Sequence, residues 1–122
     1  MAGEIVAGLS IQFRGAQLIN YVNLVLDQAT KGRAGGFMNV TTGGITLVVG
    51  AVGTPGILIM RNVDATNYVK WGPDNAGSLV ELGRLPPATN EFALFRLAPS
   101  GVTLRLQANG GTCKVEYELL EA

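Results

Sequence analysis

Apolar and polar residues alternate along much of this chain at the two-residue period of a strand. From Glu4 to Phe13, Ile5, Ala7, Leu9, Ile11 and Phe13 fall on one side and Glu4, Ser10 and Gln12 on the other, which predicts a half-buried strand. Residues 17–27 fit two periods. Leu18, Val22 and Val25 would form a helical stripe, whereas Val22, Leu24 and Leu26 alternate as a strand; β-rich neighbours and missing helix caps select the strand. Residues 31–36, KGRAGG, hold three glycines and no apolar period, so an exposed, mobile loop is expected there. Residues 37–41 then predict a short strand, Gly43-Gly44 a turn, and residues 45–52 another strand ended by Gly53-Thr54-Pro55-Gly56.

Residues 57–63 form a nearly continuous apolar run, the pattern of a strand buried on both faces. Asn62, Asp64 and Asn67 follow with short polar side chains that favour a reversal, and residues 67–71 mix apolar with polar. The pair reads as an antiparallel hairpin with its second arm nearer the surface. GPDNAG is a further loop, residues 78–85 resume strand character until Pro86-Pro87, and residues 91–97, apolar on both faces, predict a central strand. Pro99-Ser100-Gly101 turns the chain again. With Asn109-Gly110 as a tight turn, Leu106 would oppose Cys113, Leu104 Val115 and Val102 Tyr117 in a last hairpin. That leaves Thr103, Arg105, Lys114, Glu116 and Glu118 on the wet face, with Arg105 diagonal to Glu116. Eight or nine short strands and no convincing helix predict an all-β fold. Its expected form is one antiparallel β-sandwich or jelly roll over residues 1–122, with a small closed barrel as the alternative.

Composition changes the picture in one respect. Charged residues make up 15% and hydrophobic ones 48%, against about 25% charged in an ordinary soluble domain. Such an apolar surplus predicts a homo-oligomer or larger assembly that covers it. Nine basic and nine acidic residues cancel without a basic cluster, which argues against nucleic acid as a partner. No run of 18 apolar residues and no leader-like start are present, so a soluble product made in a cytoplasm, without a membrane anchor, is expected.

The chemistry of the chain is sparse. The absence of histidine removes the usual general base and the commonest metal ligand, and no phosphate-cradling glycine motif occurs, so neither enzyme activity nor a cofactor is expected. The single cysteine, Cys113, alternates inward as a small hydrophobe. Glu116 and Glu118 share a strand face, but nothing in the sequence brings an apolar pocket to raise either pKa. Asp64, Asn67, Asp74 and Asn75 would suit a Ca²⁺ ion if their loops converged; turn formation accounts for them equally, and no metal site is assigned. Tyr68 and Trp71 are candidates for a sugar-stacking platform or an interface anchor, with core packing the alternative for Trp71. Ile5, Leu9, Ile11 and Phe13 are candidate interface residues on the first strand.

Residues 53–72, GTPGILIMRNVDATNYVKWG, followed by VELGRL at 80–85, EFALFRL at 91–97 and the acidic tail EYELLE at 116–121, resemble a family of small virion proteins of tailed bacteriophages. The likeness covers roughly the C-terminal two thirds, and its motifs consist of strand and turn residues. The glycine-rich stretch at 31–36 and the Pro-Asp-Asn loop depart from it. The resemblance implies a β-rich structural protein of the virion, assembled in the host bacterial cytoplasm. As a capsid decoration or cement protein, expected to be trimeric, it would have the major capsid protein or other virion proteins as partners. A receptor-facing module holding host glycan, and a tail or connector subunit, are the alternatives.

Overall fold

The computed structural model describes residues 4–27, 32–49, 52–97 and 103–121, and none of these is helical. By contact the chain, expected as one domain, divides into two compact units, one built on residues 4–27 and one spanning Gly32–Glu121.

The first unit is a two-stranded antiparallel ribbon of β1 (Glu4–Phe13) and β2 (Ala16–Asp27), so the ambiguous segment at 17–27 is strand, like the alternating segment before it. Arg14 and Gly15 close it with φ of 50° and 79°, the left-handed pair that matches the twist of a tight hairpin. Two register shifts interrupt the ladder, each adding a residue on the β2 side. They bring a 2-3-2-3 spacing in β2 opposite the strict alternation of β1. The partners on one face are Ile5 with Leu26, Ala7 with Leu24, Leu9 with Tyr21, Ile11 with Ile19, and Phe13 with Ala16. Every position in that row is apolar. The expected half-burial fails toward the tip, where Ile11 is 41% and Phe13 58% exposed.

The second unit is the antiparallel sandwich expected. One sheet has the order β3 (Arg33–Val40), β11 (Cys113–Glu121), β5 (Pro55–Asn62), β9 (Phe92–Arg96). The other runs β4 (Ile45–Thr46), β10 (Leu104–Ala108), β6 (Val69–Asn75), β7 (Ser78–Leu79), with β8 (Gly83–Leu85) also on β6. Leu58, Met60, Val115 and Leu119 from the first sheet meet Val69, Leu85 and Leu106 from the second in a single core. Strict alternation along β11 produces this: Cys113, Val115, Tyr117 and Leu119 are buried while Lys114 and Glu116 are exposed.

Both expected hairpins are corrected. β5 and β6 lie in different sheets, and so do β10 and β11, so each connection crosses from sheet to sheet. The turn residues at 62–67 make that crossing. Buried Asn62 donates its amide to the carbonyls of Asn67 and Leu85, at 2.8 and 3.1 Å, and accepts from Asp64 N at 2.9 Å. Leu106 and Cys113 both face inward as expected, but from opposite layers. Apolar positions therefore meet across the core rather than along a ladder, a solution that alternation alone does not distinguish.

Other boundaries shift for local reasons. Arg33 to Gly36, expected as loop, is strand paired to β11, and the absence of a Cβ on Gly35 leaves room for the Glu118 carboxylate beside it. Lys31 and Pro99-Ser100-Gly101 lie outside the described residues. Residues 91–97, expected to be central, contain the edge strand β9. Of residues 45–52 only Ile45–Thr46 is strand, with 50 and 51 outside the described residues. Residues 78–85 break into β7 and β8, folded so tightly over Gly72 that any side chain there would strike the Val80 backbone.

Candidate functional site: exposed sheet faces

The outward side of the four-stranded sheet is built by strand pairing into two rows. One row reads Phe37, Glu116, Arg61, Phe92 across β3, β11, β5 and β9, and the next reads Gly35, Glu118, Ile59, Leu94. Phe37 is 60%, Phe92 56% and Leu94 44% exposed, and they share this one face of the sheet. Between the two phenylalanines lies a concavity of about 490 Å³, whose polar lining includes Arg61, Asn90, Glu116 and Glu118. Gly36 also lines it, and no atom lies within 4 Å of where a side chain there would begin.

Its charges are ordered by pairing. Arg61 Nη2 donates to Glu116 Oε2 at 3.2 Å and Nη1 to Asn90 Oδ1 at 3.2 Å. Arg33 forks onto Glu118, with Nη2 to Oε2 at 3.1 Å, and that hydrogen bond raises the guanidinium pKa above its ordinary value. Lys114 Nζ sits 5.3 Å from the Phe37 ring centroid. These exposed pairs contribute little stability, but they fix the side chains of the concavity. Arg105 does not reach Glu116 as expected. It lies on the other sheet, bonded to Asp74 Oδ1 at 3.3 Å and the Gly43 carbonyl at 3.0 Å.

Tyr68 and Trp71 have separate partners. Trp71 packs against the core and stacks on Phe95, with centroids 5.0 Å apart and planes 12° from parallel. It lines a mainly apolar cavity of about 400 Å³ with Leu82, Phe95, Leu97 and Leu104. The Tyr68 ring is covered by the Arg84 guanidinium at 4.6 Å, which is itself paired to Glu81. No common platform results. Of the four candidates on β1, Ile11 and Phe13 are exposed and Leu9 is half-buried, while Ile5 is placed by register in the same apolar row.

The remaining candidates are occupied locally. Asp64 accepts from the backbone of Thr66 and Asn67 at 3.0 and 2.7 Å, bonds that hold its pKa below the usual carboxylate range. Asp74 is bonded to Arg105 and Gly77 N. Among the described residues no group of three acidic, cysteine or histidine side chains is arranged to hold a metal. Cys113 is buried, its thiol 3.6 Å from the Asn67 carbonyl and 3.5 Å from that of Gly111, and burial pushes its pKa up. It is a core residue, not an activated nucleophile. Glu121 of the acidic tail is turned inward and accepts from Gly32 N and Thr54 N, each at 3.0 Å.

Sequence reasoning missed Phe37, Phe92 and Leu94. For Phe92 and Leu94 the signal is present, since residues 91–97 are apolar on both faces, but that pattern by itself predicts burial on both sides within one chain. No protein-family model, curated protein or solved structure matches the chain.

Proposed function

We propose that this protein is a structural component of a bacteriophage virion, a decoration or cement protein that stabilises the head lattice by covering its own exposed apolar faces against neighbouring virion proteins. The observation that supports this reading most is the outward face carrying Phe37, Phe92 and Leu94 on a sheet whose other face already fills the core. A face of that kind is suited to docking on a second surface. The resemblance of residues 53–121 to phage virion proteins supplies the partner class, and a cement role requires contact area rather than bond-breaking chemistry. Binding of the protein to the lattice and not to dissociated subunits would stabilise the particle by mass action.

The test is co-sedimentation with phage heads stripped of decoration, comparing wild type with Phe37→Ser/Phe92→Ser. Wild type should pellet with expanded heads and raise their melting temperature, and the double variant should remain in the supernatant. Equal pelleting of both, or of neither, would overturn the proposal.

A second reading, a glycan-binding module of a head or tail fibre, is favoured by the concavity itself, where Phe37 and Phe92 flank Arg61, Asn90 and Glu116. Aromatic walls with planar polar groups between them suit a sugar ring better than the separated Tyr68 and Trp71 do. Glycan-array binding that is abolished by Phe92→Ala and unchanged by Tyr68→Ala would select this reading.

A further inference from the structure

The turn from β10 to β11 carries chemistry that the exposed sheet faces do not use. Of the eight asparagines in the chain, Asn109 alone is followed by glycine. A tight hairpin at Asn109-Gly110 would hold both residues in the left-handed region. Among the described residues the glycines of that conformation are Gly15, Gly36, Gly44 and Gly77, and Gly110 is not one of them. Residues 109–112 instead carry the chain from one sheet to the other.

This crossing leaves the dipeptide open to reaction. Asn109 and Gly110 are both exposed. The Asn109 main-chain N–H donates to the Tyr68 carbonyl at 3.2 Å, but among the described residues no hydrogen bond engages the Asn109 carboxamide or the Gly110 N–H. The side-chain carbon Cγ and the next main-chain nitrogen are therefore both free, and residue 110 has no side chain to crowd their approach. Other asparagines are held or shielded. Asn62 is buried with its carboxamide bonded through both nitrogen and oxygen, Asn67 Nδ2 donates to Thr66 Oγ1 at 3.3 Å, and Asn90 Oδ1 accepts from Arg61. Asn75 is exposed as well, but the residue after it is Ala76, whose methyl group hinders ring closure.

We propose that Asn109-Gly110 is a site of spontaneous covalent modification, where the chain converts its own asparagine to isoaspartate and aspartate through a succinimide. The Gly110 nitrogen gives its proton to solvent and attacks Asn109 Cγ; the bond from Cγ to the side-chain nitrogen breaks and ammonia leaves. Water then opens the five-membered ring. Attack at the main-chain carbonyl of residue 109 leaves the chain running through Cγ, as isoaspartate, whereas attack at Cγ restores the ordinary backbone, as aspartate. Nothing is oxidised or reduced. Either product takes the formal net charge of the chain from zero to −1. Packing accounts for the glycines: a Cβ on Gly110 would lie 2.9 Å from Asn67 Oδ1, and one on Gly111 3.2 Å from Asn67 Nδ2. The crossing thus needs glycine at the position that also makes the pair reactive. This chemistry does not depend on what covers the exposed sheet faces.

The test ages the full-length protein in mildly alkaline buffer and follows the tryptic peptide of residues 106–114 by mass spectrometry, with isoaspartate scored by enzymatic carboxyl methylation. Asn109 should convert before any other asparagine, to isoaspartate as well as aspartate, and an acidic form should accumulate on anion exchange. Asn109→Gln, which keeps an exposed carboxamide, should abolish both signals. The rate reads the fold itself: the folded protein should convert less than about tenfold more slowly than the free 106–114 peptide, because the turn holds neither reacting group. Slowing beyond about tenfold would mean that the turn keeps the pair from attack geometry, and would overturn the proposal. So would aspartate without isoaspartate, an acidic form that persists in Asn109→Gln, or earlier conversion at Asn75.

Discussion

The sandwich and the ribbon follow the same alternating code and reach opposite ends. In the sandwich, Leu58 and Met60 on β5 point into a core closed from the other side by Leu106 and Leu85, and all four are essentially inaccessible. In the ribbon, Ile11 and Phe13 hold equivalent positions on an alternating strand and remain open to solvent. The difference is the second layer, not the strand pattern. An apolar row signals that something will cover it, and whether the cover comes from the same chain or another depends on how many strands fold over it. The outer face of the four-stranded sheet repeats the lesson within one element: β5 buries Leu58 and Met60 while Ile59 between them is 38% exposed.

The comparison is broken most severely by opening the closed side. Leu58→Ala truncates a fully buried side chain of the core and should cost about 2–5 kcal/mol, read as a lower urea midpoint of the sandwich. Next in size, Asn62→Ala deprives the Asn67 and Leu85 carbonyls of their donor and Asp64 N of its acceptor, in a buried inter-sheet crossing. The expected loss is about 1–3 kcal/mol. Asp64→Asn should be milder, and its signature is a pH effect. Because the folded pKa of Asp64 is depressed, its contribution is present above the ordinary carboxylate pKa and is lost as pH falls from there through the lowered value. The variant should therefore flatten the acid limb of a pH–stability curve. Arg61→Ala, which removes a half-exposed pair with Glu116, should change stability by less than about 1 kcal/mol. Smallest of all, Phe13→Ser should leave the unfolding of the sandwich within about 0.5 kcal/mol of wild type while reducing self-association in sedimentation velocity.

How much of this was legible in the sequence follows from what alternation encodes. It specifies which side of a strand is apolar, and so β1, the inward residues of β10 and β11, and the all-β class could be read directly. Neighbours are not specified. Leu106 and Cys113 satisfy each other equally well along a ladder or across a core, and the choice falls to Asn62, Asp64 and Asn67, whose hydrogen bonds form only when both sheets are present. Glycine misled at residues 33–36 because its propensity for loops yields where β11 supplies a ladder and Glu118 needs the space. At the candidate surface, Phe37 and Phe92 stand three strands apart and are joined only by the pairing of β3, β11, β5 and β9, which no local window contains. Trp71 stands out in the sequence for its size, yet a single large aromatic is as suited to closing the end of a core as to binding a ligand, and in the fold it both stacks on Phe95 and lines an apolar cavity.

Hydroxyl-radical footprinting of the wild-type protein as a function of concentration, alone and with decoration-free phage heads, tests most directly whether the uncovered apolar rows are contact surfaces. Protection of Phe13 should grow with protein concentration, and that of Phe37 and Phe92 on addition of heads, while Tyr117 in the core stays unlabelled throughout. Equal labelling of Phe13, Phe37 and Phe92 under every condition would contradict it.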